Sequence, residues 1–196
     1  GGGFWRGGPI APNFRHIDVL PELTKQAVRY VEQATRRDQP FFLYFPLTAP
    51  HTPWMPIPEF EGKSDAGYYG DFTMQVDWSI GQLMATLESA GVENETLIIV
   101  TSDNGSHWNQ NDIEKFGHHS NYHWRGQKAD IWEGGHRVPF IARWPEKIEA
   151  NTISDQTICL TDLFNTVADI TASPLSAEDS FSILPALKNP NFTGSI

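Results

Sequence analysis

Three short clusters in this 196-residue chain carry side chains able to do chemistry on an anion. In Ser102-Asp103-Asn104-Gly105, a carboxylate and an amide oxygen stand side by side. Both are hard oxygen donors, suited to Ca²⁺ or Mg²⁺ rather than to a soft metal. An Asx-rich turn is the commoner origin of such a pair taken alone, and one pair does not complete a coordination sphere. His51, in Ala-Pro-His-Thr-Pro, has prolines on both sides that stiffen the backbone around the imidazole. That ring suits an acid, a base or an anion donor, unless it only bonds a loop carbonyl. In the third cluster, Arg125-Gly126-Gln127-Lys128, Lys128 is a mobile point charge for an anionic oxygen and Arg125 a bidentate one. The plainer alternative is a solvated basic loop paired with Asp130 and Glu133.

Elements must bring these clusters together. Leu23, Ala27, Val31 and Ala34 fall three or four apart, which predicts an amphipathic helix from Pro21 to about Arg37. Phe41-Phe42-Leu43-Tyr44-Phe45 is a continuous apolar run, the pattern of a strand buried on both faces. Tyr69, Phe72, Val76, Ile80, Leu83 and Leu87 keep a helical period that stops at Gly91. Leu97-Ile98-Ile99-Val100 reads as a second buried strand and Phe140-Ile141-Ala142-Arg143-Trp144 as a weaker third. Thr161 is placed to cap a helix through about Ile170, with Leu163, Phe164, Val167 and Ile170 inward. The opening Gly-Gly-Gly-Phe-Trp-Arg-Gly-Gly-Pro reads as irregular loop.

Strand, helix, strand is a βαβ unit, so the expected fold class is α/β with a mostly parallel sheet flanked by helices. Both strands would then end at the sheet edge where open α/β folds bind ligands. That edge would carry His51 and Asp103, far apart in sequence, towards one crevice. Residues 102–137, polar and rich in Gly, His and Trp, form the long connection where function usually sits. Trp54, Trp108 and Trp124 in these loops either stack on a sugar or aryl group or anchor the loops, the commoner use of tryptophan. His107, His118, His119 and His123 either line the pocket or decorate the loop.

A net charge of −10 disfavours nucleic acid as a partner. It also means that an anionic substrate needs local cations against the global field. No apolar run is long enough to span a membrane. Cys159 is the single cysteine, which excludes a disulfide or zinc–thiolate framework within the chain, and in Ile158-Cys159-Leu160 it reads as a small buried side chain. Asn94-Glu95-Thr96 and Asn191-Phe192-Thr193 match the short glycosylation pattern. With Gly1 at the start and no targeting pattern, the natural N-terminus is expected to lie upstream.

Taken in order, Pro-Phe-Phe-Leu-Tyr-Phe…Ala-Pro-His-Thr-Pro, Ser-Asp-Asn-Gly and Arg-Gly-Gln-Lys-Ala-Asp-Ile-Trp-Glu-Gly-Gly-His-Arg-Val-Pro-Phe resemble the arylsulfatase-type sulfatases of the alkaline phosphatase superfamily. The resemblance runs from about Phe4 to Leu187, and residues 41–145 are its specific part. It implies that Asp103 and Asn104 are the later metal-ligand pair, for Ca²⁺ or Mg²⁺. It implies that His51 contacts the sulfate and leaving-group oxygen, and that Lys128 binds the sulfate near that oxygen. Arg125 is a further substrate-binding candidate, whereas Glu133-Gly134-Gly135 and Arg137 fall in a stretch with a mostly structural role.

The family's Cys/Ser-x-Pro-x-Arg motif, source of its formylglycine nucleophile, does not occur in these residues, and neither does its early Asp-Asp metal pair. Both lie upstream in the family pattern, and its small C-terminal antiparallel subdomain is largely lacking. Residues 1–196 are therefore expected to be part of a sulfatase catalytic domain, truncated at both ends and inactive alone. The expected partner of the whole protein is a sulfate ester, with a sulfated carbohydrate as one candidate. The family's usual compartments are periplasmic, secreted or lysosomal, and the oligomeric state has no signature. Two other readings remain open. One is a phosphodiesterase or phosphatase of the same superfamily, which usually shows Asp-His where this chain has Asp103-Asn104. The other is a non-catalytic module that binds sulfated glycans.

Overall fold

The computed structural model describes residues 8–37 and 39–194; most of the opening loop predicted from sequence, residues 1–7, lies outside them. The chain forms two compact units, residues 1–93 with 102–139, and residues 94–101 with 140–196.

The first unit is built on two packed helices. Helix α1, Val19–Ala34, follows a short 3-10 turn and buries Leu20, Thr24, Ala27, Val31 and Ala34 at helical spacing. It begins and ends a little before the expected range, and Thr35 closes it by bonding back to the Val31 carbonyl at 2.9 Å. Helix α2, Gly67–Ser89, buries Phe72 and Leu87 as expected and half-buries the other apolar positions of its stripe. Its end is a Schellman motif: Gly91 N–H bonds Glu88 O (2.9 Å), Val92 N–H bonds Leu87 O (3.1 Å), and Gly91 sits at φ +69°.

The apolar period misses a second stripe on α2, because it is polar. Asp71, Gln75 and Ser79 are each fully buried, one turn apart. Each works for a neighbouring segment. Thr24 on α1 meets Ser79 Oγ at 2.9 Å, and that hydroxyl passes its own proton to Gln75 O at 3.0 Å. Gln75 Oε1 accepts from Ile57 N at 2.9 Å. The Asp71 carboxylate accepts three backbone N–H groups, from Gly62 (2.9 Å), Lys63 (3.0 Å) and Ser64 (2.8 Å). These bonds pin the loop that precedes α2, which apolar contacts alone would leave free to slide.

Residues 41–45 depart from expectation. The segment lies in no strand, and Phe42 (70% exposed) and Tyr44 (77%) alternate with half-buried neighbours. Such alternation belongs to an extended chain covered on one face, not to a strand buried on both. Its anchors are on α1, where the Tyr30 hydroxyl donates to Phe42 O at 3.2 Å and the Tyr30 ring meets Phe41 edge-on. No ladder joins it to residues 97–100 among the described residues.

In the second unit, β1, Ile98–Thr101, pairs instead with β2, Phe140–Arg143, antiparallel, with Ile98 opposite Arg143 and Thr101 opposite Phe140. The sheet described is thus two-stranded and antiparallel, and the expected parallel sheet is not found among the described residues. Helix α5, Leu163–Ile170, follows a 3-10 turn at Leu160–Asp162. Thr161 does not cap it. Asp162 takes the tying role, accepting from Cys159 N (2.7 Å) and from Phe181 N (2.9 Å). Phe164 is 51% exposed rather than inward; Thr166 and Ala168 face the interior, and the Thr166 hydroxyl accepts from Ile183 N at 3.0 Å. A short helix α6, Leu184–Lys188, buries Ala186. Cys159 is exposed, not buried, and the Thr161 side chain bonded to its thiol holds it below the ordinary thiol range. Among the described residues no helix is long and apolar enough to cross a membrane.

Asp71→Ala would strand three backbone donors in a buried turn. The expected loss is about 3 kcal/mol, since each unsatisfied buried polar group costs roughly 1–3 kcal/mol. The check is the thermal unfolding midpoint of the full-length protein, and a midpoint within 1 °C or so of wild type would refute it.

Candidate active site

All five residues singled out from sequence lie in the first unit, in loops held by short contacts. His51 sits between two anchors. Ala49 is buried in a cluster with Leu20 and Phe72, and Trp54 packs against that cluster. The His51 backbone N–H bonds Thr48 O at 3.1 Å. Its ring Nδ1 lies 2.8 Å from Thr52 O. A carbonyl only accepts, so Nδ1 carries the hydrogen and Nε2 is the nitrogen left to meet a ligand. The ring itself is exposed.

Trp54 leads from this loop to the next. Its ring meets Tyr69 of α2 at 5.4 Å and Trp108 at 6.1 Å. Trp108 is buried, stacks on Tyr69 (4.7 Å) and Phe116 (5.6 Å), and donates its indole N–H to His118 O at 2.8 Å. It is a loop anchor, as tryptophan usually is. Helix α3, Gln110–Phe116, unannounced by the apolar pattern, is nucleated by a capping box between Asn109 and Asp112. The Tyr69 hydroxyl reaches Ser106 Oγ at 2.8 Å, so α2 grips the segment just past Asp103-Asn104.

That segment is stitched to the basic loop. Lys128 N–H bonds Ser106 O (3.1 Å), and Gly105 N–H bonds Gly135 O (2.8 Å). Gly134 N–H in turn bonds Arg125 O at 2.8 Å, closing the basic loop on the one-turn helix α4, Glu133–His136. The Asn121 side chain acts as a substitute strand. Its Oδ1 accepts from Ser106 N (2.9 Å) and its Nδ2 donates to Ser106 O (3.0 Å). Glycine is required where these backbones meet: a Cβ on Gly105 would stand 1.8 Å from Gly134 O, and one on Gly135 would stand 2.0 Å from Asp130 O.

At the metal-donor pair, Asn104 Nδ2 donates to Gly105 O at 3.1 Å, which leaves Oδ1 as the oxygen available to a cation. Asp103 is exposed and takes no hydrogen bond or ion pair among the described residues. The two oxygens fit part of a hard-cation site. Among the described residues no cluster of three or more His, Cys, Asp or Glu could hold a metal by itself. The Arg125 guanidinium stacks on the Trp132 ring at 3.7 Å and Arg137 on Trp124 at 4.2 Å, with Glu133 bonding Arg137 at 3.0 Å. Arg125 thus pairs with an aromatic face rather than with Asp130 or Glu133. The backbone stitches join the segment after Asp103-Asn104 to the loop of Lys128, and the Trp54–Tyr69–Ser106 contacts link the loop of His51 to the same frame. Ser106, Asn121 and Tyr69 carry this assembly; sequence reading marked Tyr69 only as part of the α2 stripe and did not mark Ser106 or Asn121.

Glycine-permitted backbone contacts thus join the segment of the candidate metal-donor pair to the loop of Lys128, and comparison with known proteins supplies the family. The Sulfatase family pattern matches residues 20–173, so the chain belongs to the sulfatase family. It is 33% identical over 197 residues to the N-acetylgalactosamine-6-O-sulfatase of Bacteroides thetaiotaomicron, covering 96% of this chain and 38% of that protein. It is 36% identical over 175 residues to the human steryl-sulfatase, covering 87% of this chain and 30% of that one. The chain therefore spans about a third of the length of these relatives. Among solved structures, one from work on glycosaminoglycan metabolism by Bacteroides thetaiotaomicron superposes with a TM-score of 0.84 at 33% identity, covering 93% of this chain and 39% of that one. Another, Ps i-CgsB in complex with k-i-k-neocarrahexaose, gives 0.72 at 28% identity, covering 87% and 39%. Its neighbours thus share the alkaline-phosphatase-like α/β fold of sulfatases.

Gly105→Ala drives a methyl group into the Gly134 carbonyl, so the stitch must open. A loss of about 3 kcal/mol is expected, at the upper end for overpacking a tight site. Amide hydrogen exchange of the full-length protein would show the Lys128 N–H losing protection. Unchanged protection there would show that the loops stay joined without this contact.

Proposed function

We propose that this chain supplies the later part of a sulfatase active site, in a catalytic domain whose nucleophile-bearing segment and remaining metal ligands lie outside these 196 residues. The reaction is hydrolysis of a sulfate monoester, and a sulfated carbohydrate is its favoured substrate class. The observation that supports the reading most is the Lys128 backbone N–H bond to Ser106 O at 3.1 Å, which ties the loop of Lys128 to the segment just past Asp103-Asn104. Membership of the sulfatase family and a relative named for a sulfated sugar support it. The parallel sheet expected from sequence belongs with this reading, as part of the whole domain.

Each residue has a role its chemistry permits. Asp103 and Asn104 Oδ1 would hold Ca²⁺ or Mg²⁺ together with ligands from elsewhere, and the bound ion would neutralise sulfate charge beside the family's formylglycine. Lys128 meets the sulfate oxygens as a point charge. Arg125 adds a second cation with its edge N–H groups free while its face rests on Trp132. His51, fixed by Thr52 O, presents Nε2. In its protonated form that nitrogen donates to the leaving-group oxygen as the S–O bond breaks and charge develops there. Asn104, with only one oxygen to offer, favours this reading over a two-zinc phosphodiesterase, where a histidine usually stands.

Two experiments on the full-length protein test it. His51→Ala and Lys128→Ala should each lower kcat on the order of 10²-fold, because their contacts strengthen as charge develops. Loss of His51 should hurt a poor leaving group more than an activated aryl sulfate. Equal and small losses on both would reduce His51 to a loop anchor. Separately, Asp103→Ala should weaken Ca²⁺ or Mg²⁺ binding by calorimetry with the thermal midpoint of the metal-free protein unchanged. Undiminished affinity would remove Asp103 from the metal site.

A further inference from the structure

The segment between α3 and the basic loop carries a feature that neither the metal pair nor the sulfate-binding cations explain. The rings of Tyr122, His123 and Trp124 meet in sequence, each tilted to the next, with ring centroids 4.1 Å apart for the first pair and 4.3 Å for the second. Arg137 caps the far end over Trp124 at 4.2 Å. Tyr122 is 71% exposed and His123 is exposed, so the outer end of this ladder faces solvent. Aromatic rings held in the open at a fixed angle are unusual for core packing, which would bury them.

The ladder is also held in register with the site. Asn121, the residue before it, is the one whose amide clamps both the N–H and the carbonyl of Ser106, and Ser106 O accepts from Lys128 N as well. Tyr122 N–H bonds His119 O at 2.9 Å and Trp124 N–H bonds Asn121 O at 3.0 Å. Tyr122 lies at φ +53°, a left-handed conformation that favours glycine and strains a residue with a bulky side chain. Such strain at an exposed position in a site loop points to a use for the side chain that offsets it.

Charge identifies the occupant. In a chain of net charge −10, residues 117–129 contain three histidines, Arg125 and Lys128 and not one Asp or Glu. A steroid or other fully apolar leaving group calls for an enclosed apolar pocket. An exposed ring ladder beside clustered basic groups suits a hydroxylated, anionic ring in water. Its C–H face stacks on Tyr122 while its charged substituents meet the cations. We propose that Tyr122, backed by His123, is the subsite that receives the sugar ring of a sulfated glycan, and so sets specificity for carbohydrate over other sulfate esters. This rests on the sulfatase reading above.

The test uses full-length protein, an aryl sulfate, and a glycosaminoglycan tetrasaccharide carrying N-acetylgalactosamine 6-sulfate. Tyr122→Gly removes the ring and suits the left-handed backbone, so it keeps or raises the thermal midpoint. Tyr122→Phe keeps the ring. The expected result is a KM for the tetrasaccharide raised about tenfold in the Gly variant, kcat within about twofold, and Phe close to wild type. An unchanged KM in the Gly variant overturns the subsite. So does a fall in kcat alone, which would make Tyr122 a positioning residue for the Ser106–Lys128 stitch. Wild-type protein that cleaves the aryl sulfate but not the tetrasaccharide overturns the subsite and leaves the sulfatase reading standing. Wild-type protein that cleaves neither sinks both.

Discussion

Everything proposed for this site depends on one close approach of backbones. Residues 104–106 run against residues 126–135 near enough that Gly105 N–H reaches Gly135 O and Lys128 N–H reaches Ser106 O. Side chains on Gly105 or Gly135 would collide with carbonyls at 1.8 and 2.0 Å, so the contact exists only because those residues have none. Two loops that would otherwise move independently become one body carrying a carboxylate, an amide oxygen and a lysine. Positioning of this kind supplies catalytic power only if it is in place before the substrate arrives. Backbone bonds achieve that at less entropic cost than long charged side chains reaching for each other.

The rest of the first unit supports that contact. Trp108 is buried beneath it and fixes the 108–118 segment, while Tyr69 reaches from α2 to Ser106. α2 itself is held to α1 through Thr24 and Ser79 and to the preceding loop through Asp71. His51 hangs from the same frame, between buried Ala49 and the Trp54 ring that meets Tyr69. Ring contacts and hydrogen bonds thus link the helix pair to the loops that carry the candidate residues.

What could be read beforehand follows from which signals a sequence carries locally. The α1 and α2 periods and the Gly91 stop were legible because an amphipathic helix repeats its signal over several turns. The family was legible because its motifs keep an order and spacing. The 41–45 segment misled, since an apolar run fixes neither its pairing nor which faces are covered. β1 and β2 were visible as strands, but their antiparallel pairing joins residues 39 to 45 positions apart and has no local mark. Asn121 and Asp71 escaped notice because a side chain that satisfies a distant backbone looks, in sequence, like any polar residue in a loop or on a helix.

Two aspartates of the first unit, Asp71 and Asp103, stand in contrast. Asp71 is 1% exposed, and three N–H groups occupy its oxygens, so its charge is used up within the protein. Asp103 is exposed and engages no cation or donor among the described residues, and Asn104 beside it spends its amide nitrogen on Gly105 O. A carboxylate that served only to close the turn would be expected to bond the turn's own N–H groups, as Asp71 does. Instead Gly105 N–H goes to Gly135 and Ser106 N–H to Asn121. The backbone donors within reach of Asp103 are spent elsewhere, and the pair's oxygens stay available to a cation.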